Sequence, residues 1–378
     1  MIFVAFFVCN RIVHVEKMEG LITLKFNIEI KRIRENWKLK FSLYKIYFFV
    51  LHNFALFTSK NLMKTLFTFL KYFFLVIVIL ILGFVVFNWK NDVSVEELKK
   101  KYANAESEFI EIEGMQVHFR DQGISTDSLP IVLIHGTGAS LHTWEAWVNE
   151  LKNEHRIITL DLPAYGLTGP NRTGDYSQDF YVSFMDKFLS KLNIKRFILG
   201  GNSLGGGITW AYALEHSEKV SKMILVDAGG YPMVSKSVPI AFRIARMPVL
   251  GNIFKYVLPR FIIEKSLQNV YVHDDKIKPD LIERYYDMAS REGNRKAFLD
   301  RMKSSLKNDK YLKIKTLTMP TLIIWGKQDG LIPLDVAEKF HVDLPKNTLI
   351  IFKDLGHTPM EEDPMATVMA VKDFLKKR

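Results

Sequence analysis

Phe197-Ile198-Leu199-Gly200-Gly201-Asn202-Ser203-Leu204-Gly205-Gly206-Gly207 is the stretch that decides how this chain folds. An apolar run of β type meets glycines that flank a serine, and the chain continues as Ile208-Thr209-Trp210-Ala211-Tyr212-Ala213-Leu214 with helical character. The pattern predicts a strand, a very tight turn and a helix, with Ser203 at the tip. A serine so placed is held in a strained backbone conformation with its hydroxyl projecting. Gly201 and Gly205 remove the side chains that would collide where strand and helix pack. The G-x-S-x-G spacing alone is equally satisfied by a serine in an ordinary loop, so its meaning depends on what surrounds it.

Outward from this turn, residues 109–114 and 115–120 alternate in polarity and predict an antiparallel hairpin. Apolar runs at 131–134, 157–160, 197–199, 223–226, 322–325 and 349–352 suit buried parallel strands. Helical patterns lie between most of them, at 144–151, 180–192, 334–340 and 366–375. This alternation predicts an α/β fold with a doubly wound, mostly parallel sheet and ligands at the carboxyl ends of its strands. The rhythm stops at about 231–316, where helical, basic and aromatic-rich sequence predicts an inserted cap.

A serine hydroxyl is a poor nucleophile at its own pKa and needs a base, which in turn needs an orienting group. Asp329, in Trp325-Gly326-Lys327-Gln328-Asp329, and His357, in Asp354-Leu355-Gly356-His357, each follow a predicted strand, so one edge of the sheet gathers Ser203, Asp329 and His357. Asp227, after the run 223–226, is a rival acid whose bland role is to bind loop backbone. The developing oxyanion needs donors. His135-Gly136-Thr137-Gly138 after the run 131–134 offers the Thr137 amide, and the residue after the serine, Leu204, offers the second. A phosphate-cradling role for that loop fails, because neither G-x-G-x-x-G opening a helix nor a Walker lysine is present.

With these residues in place, 109–378 resembles an α/β-hydrolase with a helical cap. The elbow at Ser203, the His135-Gly136-Thr137-Gly138 loop, Asp161-Leu162-Pro163-Ala164-Tyr165-Gly166 with Ala164 where the family usually has glycine, Asp329 and His357 follow in family order. The nearest branch is that of esterases, lipases and meta-cleavage-product carbon–carbon hydrolases. Similarity to the last implies substrate-binding roles for Asn202 and Arg284, although Thr358 stands where those enzymes carry tryptophan. The resemblance implies no metal and no organic cofactor. A carboxylic ester is the expected substrate, carbon–carbon hydrolysis the alternative, and a catalytically silent ligand-binding module the alternative of another class.

The run that opens at Leu66 and closes at Phe87 is apolar apart from Thr68 and Lys71. It spans about 33 Å as a helix, enough for a hydrocarbon core of about 30 Å. Phe87-Asn88-Trp89-Lys90-Asn91 lacks the small-x-small pattern of a cleaved signal, so 63–92 reads as an uncleaved membrane anchor and 93–108 as a polar, helical tether. Lys60, Lys64 and Lys71 lie on the N-terminal side, whereas Lys90 is followed by Asp92, Glu96 and Glu97, which predicts a cytoplasmic N-terminus and an extracytoplasmic domain. Residues 1–62 show no clean period, one glycine and no proline; they read as upstream sequence ahead of a functional start at Met63, or else as a genuine extension with its own amphipathic part.

The 378 residues carry a formal charge of +11, but residues 1–62 hold ten Lys/Arg against four Glu and no Asp. The remaining +5 gives no case for nucleic acid as a partner. Cys9 is the sole cysteine, so no disulfide within the chain and no cysteine-based metal site can form. The expected partners are a small-molecule or lipid acyl substrate and the membrane. The cap stretch 238–258 is apolar enough to line a pocket or to touch the bilayer, and its Arg243, Arg246 and Lys255 suit either lipid headgroups or a solvated face.

Overall fold

The structure, a computed structural model, describes residues 37–304 and 309–377. The part of the doubtful extension before Trp37, Cys9 included, lies outside them. The chain divides into two units, one ending at Phe84 and one beginning at Val85.

The first unit is dominated by one helix, α1 (Trp37–Phe87), of 51 residues. Its part Lys45–Phe87 is long and apolar enough to cross a membrane, and its most hydropathic window buries nothing against protein. Residues 37–62, which show no clean helical period in the sequence, are therefore helical. The reason is physical: an amphipathic period records packing against a core, and among the described residues of its unit this helix has none to pack against.

In the second unit a short helix α2 (Val95–Tyr102) precedes the hairpin β1 (Ser107–Ile112) and β2 (Met115–Gly123). There follow β3 (Ile131–Ile134), α3 (Glu145–Leu151), β4 (Arg156–Leu160), α4 (Gln178–Lys191), β5 (Phe197–Asn202), α5 (Leu204–Glu215) and β6 (Val220–Val226). The cap is built from α6 (Ile240–Ala245), α7 (Pro248–Phe254), α8 (Arg260–Val270), α9 (Pro279–Ser290) and α10 (Asn294–Lys303). The chain closes with β7 (Thr321–Gly326), α11 (Leu334–Asp343), β8 (Asn347–Phe352), α12 (Pro359–Glu362) and α13 (Pro364–Lys376).

The sheet has eight strands in the order β1-β2-β4-β3-β5-β6-β7-β8. β1 and β2 pair antiparallel, as do β2 and β4, and every later pairing is parallel. Successive side chains in a strand point to opposite faces, so the all-apolar strands feed two cores at once. Val132, Ile134, Leu199 and Leu225 join one core with α4, α5 and α11. Ile131, Leu133, Ile198 and Ile224 join the other with α3 and α13. That double burial is why these strands read as continuous apolar runs. The cap has a core of its own, including Phe254, Leu258, Ile262 and Leu267.

The tether is docked rather than loose. Ser94 caps α2 by accepting from Glu97 N at 3.2 Å, acids fill its first turn and lysines its last, and Leu98 is buried with Leu167 and Met288. Tyr102 Oη donates to Asp287 at 2.7 Å, and Lys101 pairs with Asp287 and Glu283 on α9. One buried leucine among charges is too thin a pattern to reveal this from sequence.

Candidate active site

β5 ends at Asn202 and α5 begins at Leu204, so a single residue turns the chain. Ser203 has φ 54° and ψ −112°, a conformation costing on the order of 1–3 kcal/mol in a non-glycine residue. The turn is held by Ser203 N donating to Val226 O at 3.0 Å, and by Ser203 O accepting from Gly229 N at 2.9 Å and Gly207 N at 3.0 Å. A Cβ on Gly201 would overlap the Gly205 backbone, and one on Gly205 would overlap the Ile134 carbonyl. Asn202 and Leu204 are buried while Ser203 keeps partial exposure.

The 135–138 loop lies against this turn: a Cβ on Gly136 would stand 3.1 Å from Ser203 Cβ and 2.8 Å from Asn202 Oδ1. His135 fixes the loop. Its Nδ1 lies 2.7 Å from Gly136 O, and its Nε2 accepts from Leu162 N at 2.9 Å. These partners assign the proton to Nδ1, and burial pulls the imidazole pKa down, keeping the ring neutral. Leu204 is the first residue of α5, so its N–H has no intrahelical acceptor. Asp161 anchors the neighbouring segment by accepting from Leu141 N at 2.7 Å and Leu167 N at 2.8 Å. Burial alone would raise its pKa, but His118, 2.7 Å away, holds it below the usual carboxylate range.

His357 Nδ1 lies 2.6 Å from Asp329 Oδ2. Asp329 Oδ1 accepts from Leu331 N at 2.7 Å and Ile332 N at 3.0 Å, so the carboxylate is aimed by backbone. With Nδ1 so engaged, Nε2 is the nitrogen left to exchange a proton. The rival Asp227 accepts from Gly326 N at 3.0 Å through Oδ1. Burial first, and then the neighbouring Asp329, raise its pKa far above the carboxylate range, which keeps it neutral. Ligand atoms of Asp227, Asp329 and His357 lie within 4.8 Å of one another, a composition able to hold a cation. The hydrogen bond between Asp329 and His357 spends their facing atoms on each other.

Arg284 and Asn202 are both engaged by protein groups. The Asn202 amide donates to His357 O at 3.0 Å and Val226 O at 3.1 Å, tying the elbow to the histidine loop. Arg284 lies 3.5 Å from Glu361, whose carboxylate also accepts from Tyr271 at 2.8 Å, from Tyr285 at 3.0 Å and from Thr143. Neither lines the cavity of about 110 Å³ between cap and sheet, whose walls include Thr137, Gly138, Ala164, Phe242, Leu267 and Phe298. Ser203 and His357 do not line the cavity; their neighbours do, since Val270, which accepts from His357 N, is one of its walls, and Thr137 follows Gly136, the residue packed against Ser203.

Sequence reasoning missed two residues, Glu361 and Glu362. Glu362 is buried, and it accepts from Gly356 N at 2.7 Å and Val272 N at 2.8 Å. His357 N donates to Val270 O at 2.8 Å. The histidine loop and the cap end of α8 are thus sewn together. In sequence the two glutamates read only as acids favourable at a helix start.

The fold, the elbow and its loops define a hydrolase of the α/β class, and comparison with known proteins agrees. Residues 130–364, more than half of the chain, match the family model for the alpha/beta hydrolase fold, and the chain belongs to that family. It is 29% identical over 272 residues to the uncharacterized hydrolase YugF of Bacillus subtilis, covering 70% of this chain and 96% of that one. It is 25% identical over 274 residues to the 2-hydroxy-6-oxononadienedioate/2-hydroxy-6-oxononatrienedioate hydrolase of Cupriavidus pinatubonensis, covering 69% and 90%. Among solved structures, a membrane phospholipase A described as a bacterial virulence factor superposes with TM-score 0.63 at 23% identity, covering 81% of this chain and 98% of that one, a likeness of fold.

Proposed function

We propose that the chain is a membrane-anchored serine hydrolase of carboxylic esters. Ser203 Oγ bonds to the acyl carbon as its proton passes to His357 Nε2. Asp329 orients the imidazole and stabilises it once charged, and the amides of Thr137 and Leu204 receive the oxyanion. The alcohol leaves with the proton from Nε2. Water, deprotonated by the same nitrogen, then releases the acid. The observation that carries this reading is the 2.6 Å His357–Asp329 pair, tied by the Asn202 amide donating to His357 O at 3.0 Å to the turn that holds the serine at φ 54°.

Esters are favoured over carbon–carbon hydrolysis because Arg284 is engaged by Glu361 and lies outside the cavity lining. The second reading draws support from the Cupriavidus hydrolase named above. The anchor rests on the apolar helix ending at Phe87, and the lysine asymmetry around it supports an extracytoplasmic catalytic domain. The test is hydrolysis of nitrophenyl esters of increasing acyl length by the detergent-solubilised chain and by Ser203→Ala. Turnover in the parent and its loss in the variant are expected. An inactive parent sinks the ester assignment and moves the weight to carbon–carbon hydrolysis or to a ligand-binding module without catalysis.

A further inference from the structure

The cap carries two apolar faces. Phe242, Phe254 and Ile263 turn inward and line the cavity. Met247, Val249, Leu250, Ile253, Tyr256 and Phe261 are exposed, Val249 by 71%. Leu250 and Ile253 are three apart on α7 and Val249 and Ile253 four apart, so they share one helix face. Single exposed apolar residues need no explanation, but a contiguous group marks an interaction surface.

Charge and chain continuity identify the occupant. From 228 to 263 the sequence contains no Asp or Glu and five basic residues, Lys236, Arg243, Arg246, Lys255 and Arg260. The residues that follow the last turn of the apolar helix are bonded to this same patch. Lys90 N donates to Tyr256 O at 2.9 Å and Leu258 N donates to Asn88 O at 3.1 Å. Trp89 stacks on Tyr256 with ring centroids 5.4 Å apart, and both rings remain about half exposed. Amphipathic aromatics flanked by cations, next to an apolar helix, match the chemistry of a membrane interface. We propose that the α7 face of the cap docks onto an anionic phospholipid bilayer and presents the cap cavity to acyl lipids within it. The proposal builds on the anchored-hydrolase reading above and adds to it a second, reversible contact with the membrane.

The experiment uses the full chain in phosphatidylcholine–phosphatidylglycerol vesicles, with Cys9→Ser and a single environment-sensitive fluorophore at Leu250→Cys. A matched sample carries it at Val342→Cys, an 80% exposed apolar position on α11 of the sheet domain. Quenching by lipids brominated on their acyl chains is expected to be several-fold stronger at 250 than at 342, and to weaken at 250 in the variant Arg243→Glu/Arg246→Glu. Equal quenching at the two positions overturns the docking. Resistance to alkaline carbonate extraction reports separately on the anchor. A chain that resists extraction with equal quenching keeps its anchor and loses the docking, and a chain that is extracted yet quenched at 250 keeps the docking and loses the anchor. Neither readout requires turnover, so a failed assignment of catalysis would show separately.

Discussion

Ala164 has φ 86°, in the left-handed region, at the place where the resemblance calls for glycine. Gly166, two residues on, has φ 54°, and a Cβ there would overlap the Asp161 carboxyl, so two left-handed positions share this turn. A methyl group in that region costs roughly 1–2 kcal/mol, partly offset by the greater unfolded-state freedom of glycine. Ala164→Gly is therefore expected to raise stability by about 0.5–1 kcal/mol in urea unfolding. A loss would show that the alanine methyl contributes more to the cavity wall than its backbone costs. At the acid pair the prediction is an asymmetry. Asp329→Asn should lower kcat by about 10⁴, since the imidazole loses its orienting charge. Asp227→Asn keeps the acceptor for Gly326 N and stays neutral like the native acid, so kcat should fall less than about tenfold. Equal losses in the two variants would contradict the assignment of roles. Buried histidines set the acid limit. Burial lowers the pKa of His135 and brings His142 down to about 4, against about 6.5 in the unfolded chain. Between about 4 and 6.5 the unfolded state binds the extra proton at His142, so that contribution is complete above about pH 6.5 and falls on acidification by up to about 1.4 kcal/mol per pH unit, and His135 acts in the same direction. Unfolding free energies measured from pH 7.5 down to 4.5 check the sign; a flat profile would mean that these rings are not held neutral.

At the scale of elements, the part read easily from sequence is the part governed by local rules. Strands buried on both faces print as apolar runs, and the elbow prints as glycines because Gly201 and Gly205 have backbone where a Cβ would go. What stayed hidden depends on partners distant in the chain. Glu361 gathers Tyr271, Tyr285 and Arg284 from the cap and Thr143 from the sheet side, a meeting that no spacing foretells. Similarity to the carbon–carbon hydrolases implied a substrate-binding role for Arg284; the structure shows its guanidinium 3.5 Å from this internal carboxylate. Removing the carboxylate leaves several buried donors without an acceptor. Glu361→Ala should thus destabilise the fold by about 3 kcal/mol, while Glu361→Gln, which keeps an acceptor for the tyrosines, should cost less. Equal effects of the two substitutions would show that the charge, and not the acceptor, holds cap to sheet.

For the whole molecule, the proposed anchor would hold the proposed ester chemistry near a membrane surface, and the tether that follows the apolar helix is docked on the cap. The tether's buried Leu98 and its pairs with α9 fix α2 on the cap side of its own unit. In the proposed mechanism Ser203 is the nucleophile and His357 activates it. The most direct test of that assignment is reaction of the solubilised chain with a fluorophosphonate, which mimics the tetrahedral state, followed by peptide mass spectrometry. One adduct is expected, on Ser203, absent in Ser203→Ala and formed orders of magnitude more slowly in His357→Ala. A folded parent that takes no label, or takes it on another residue, would contradict the assignment.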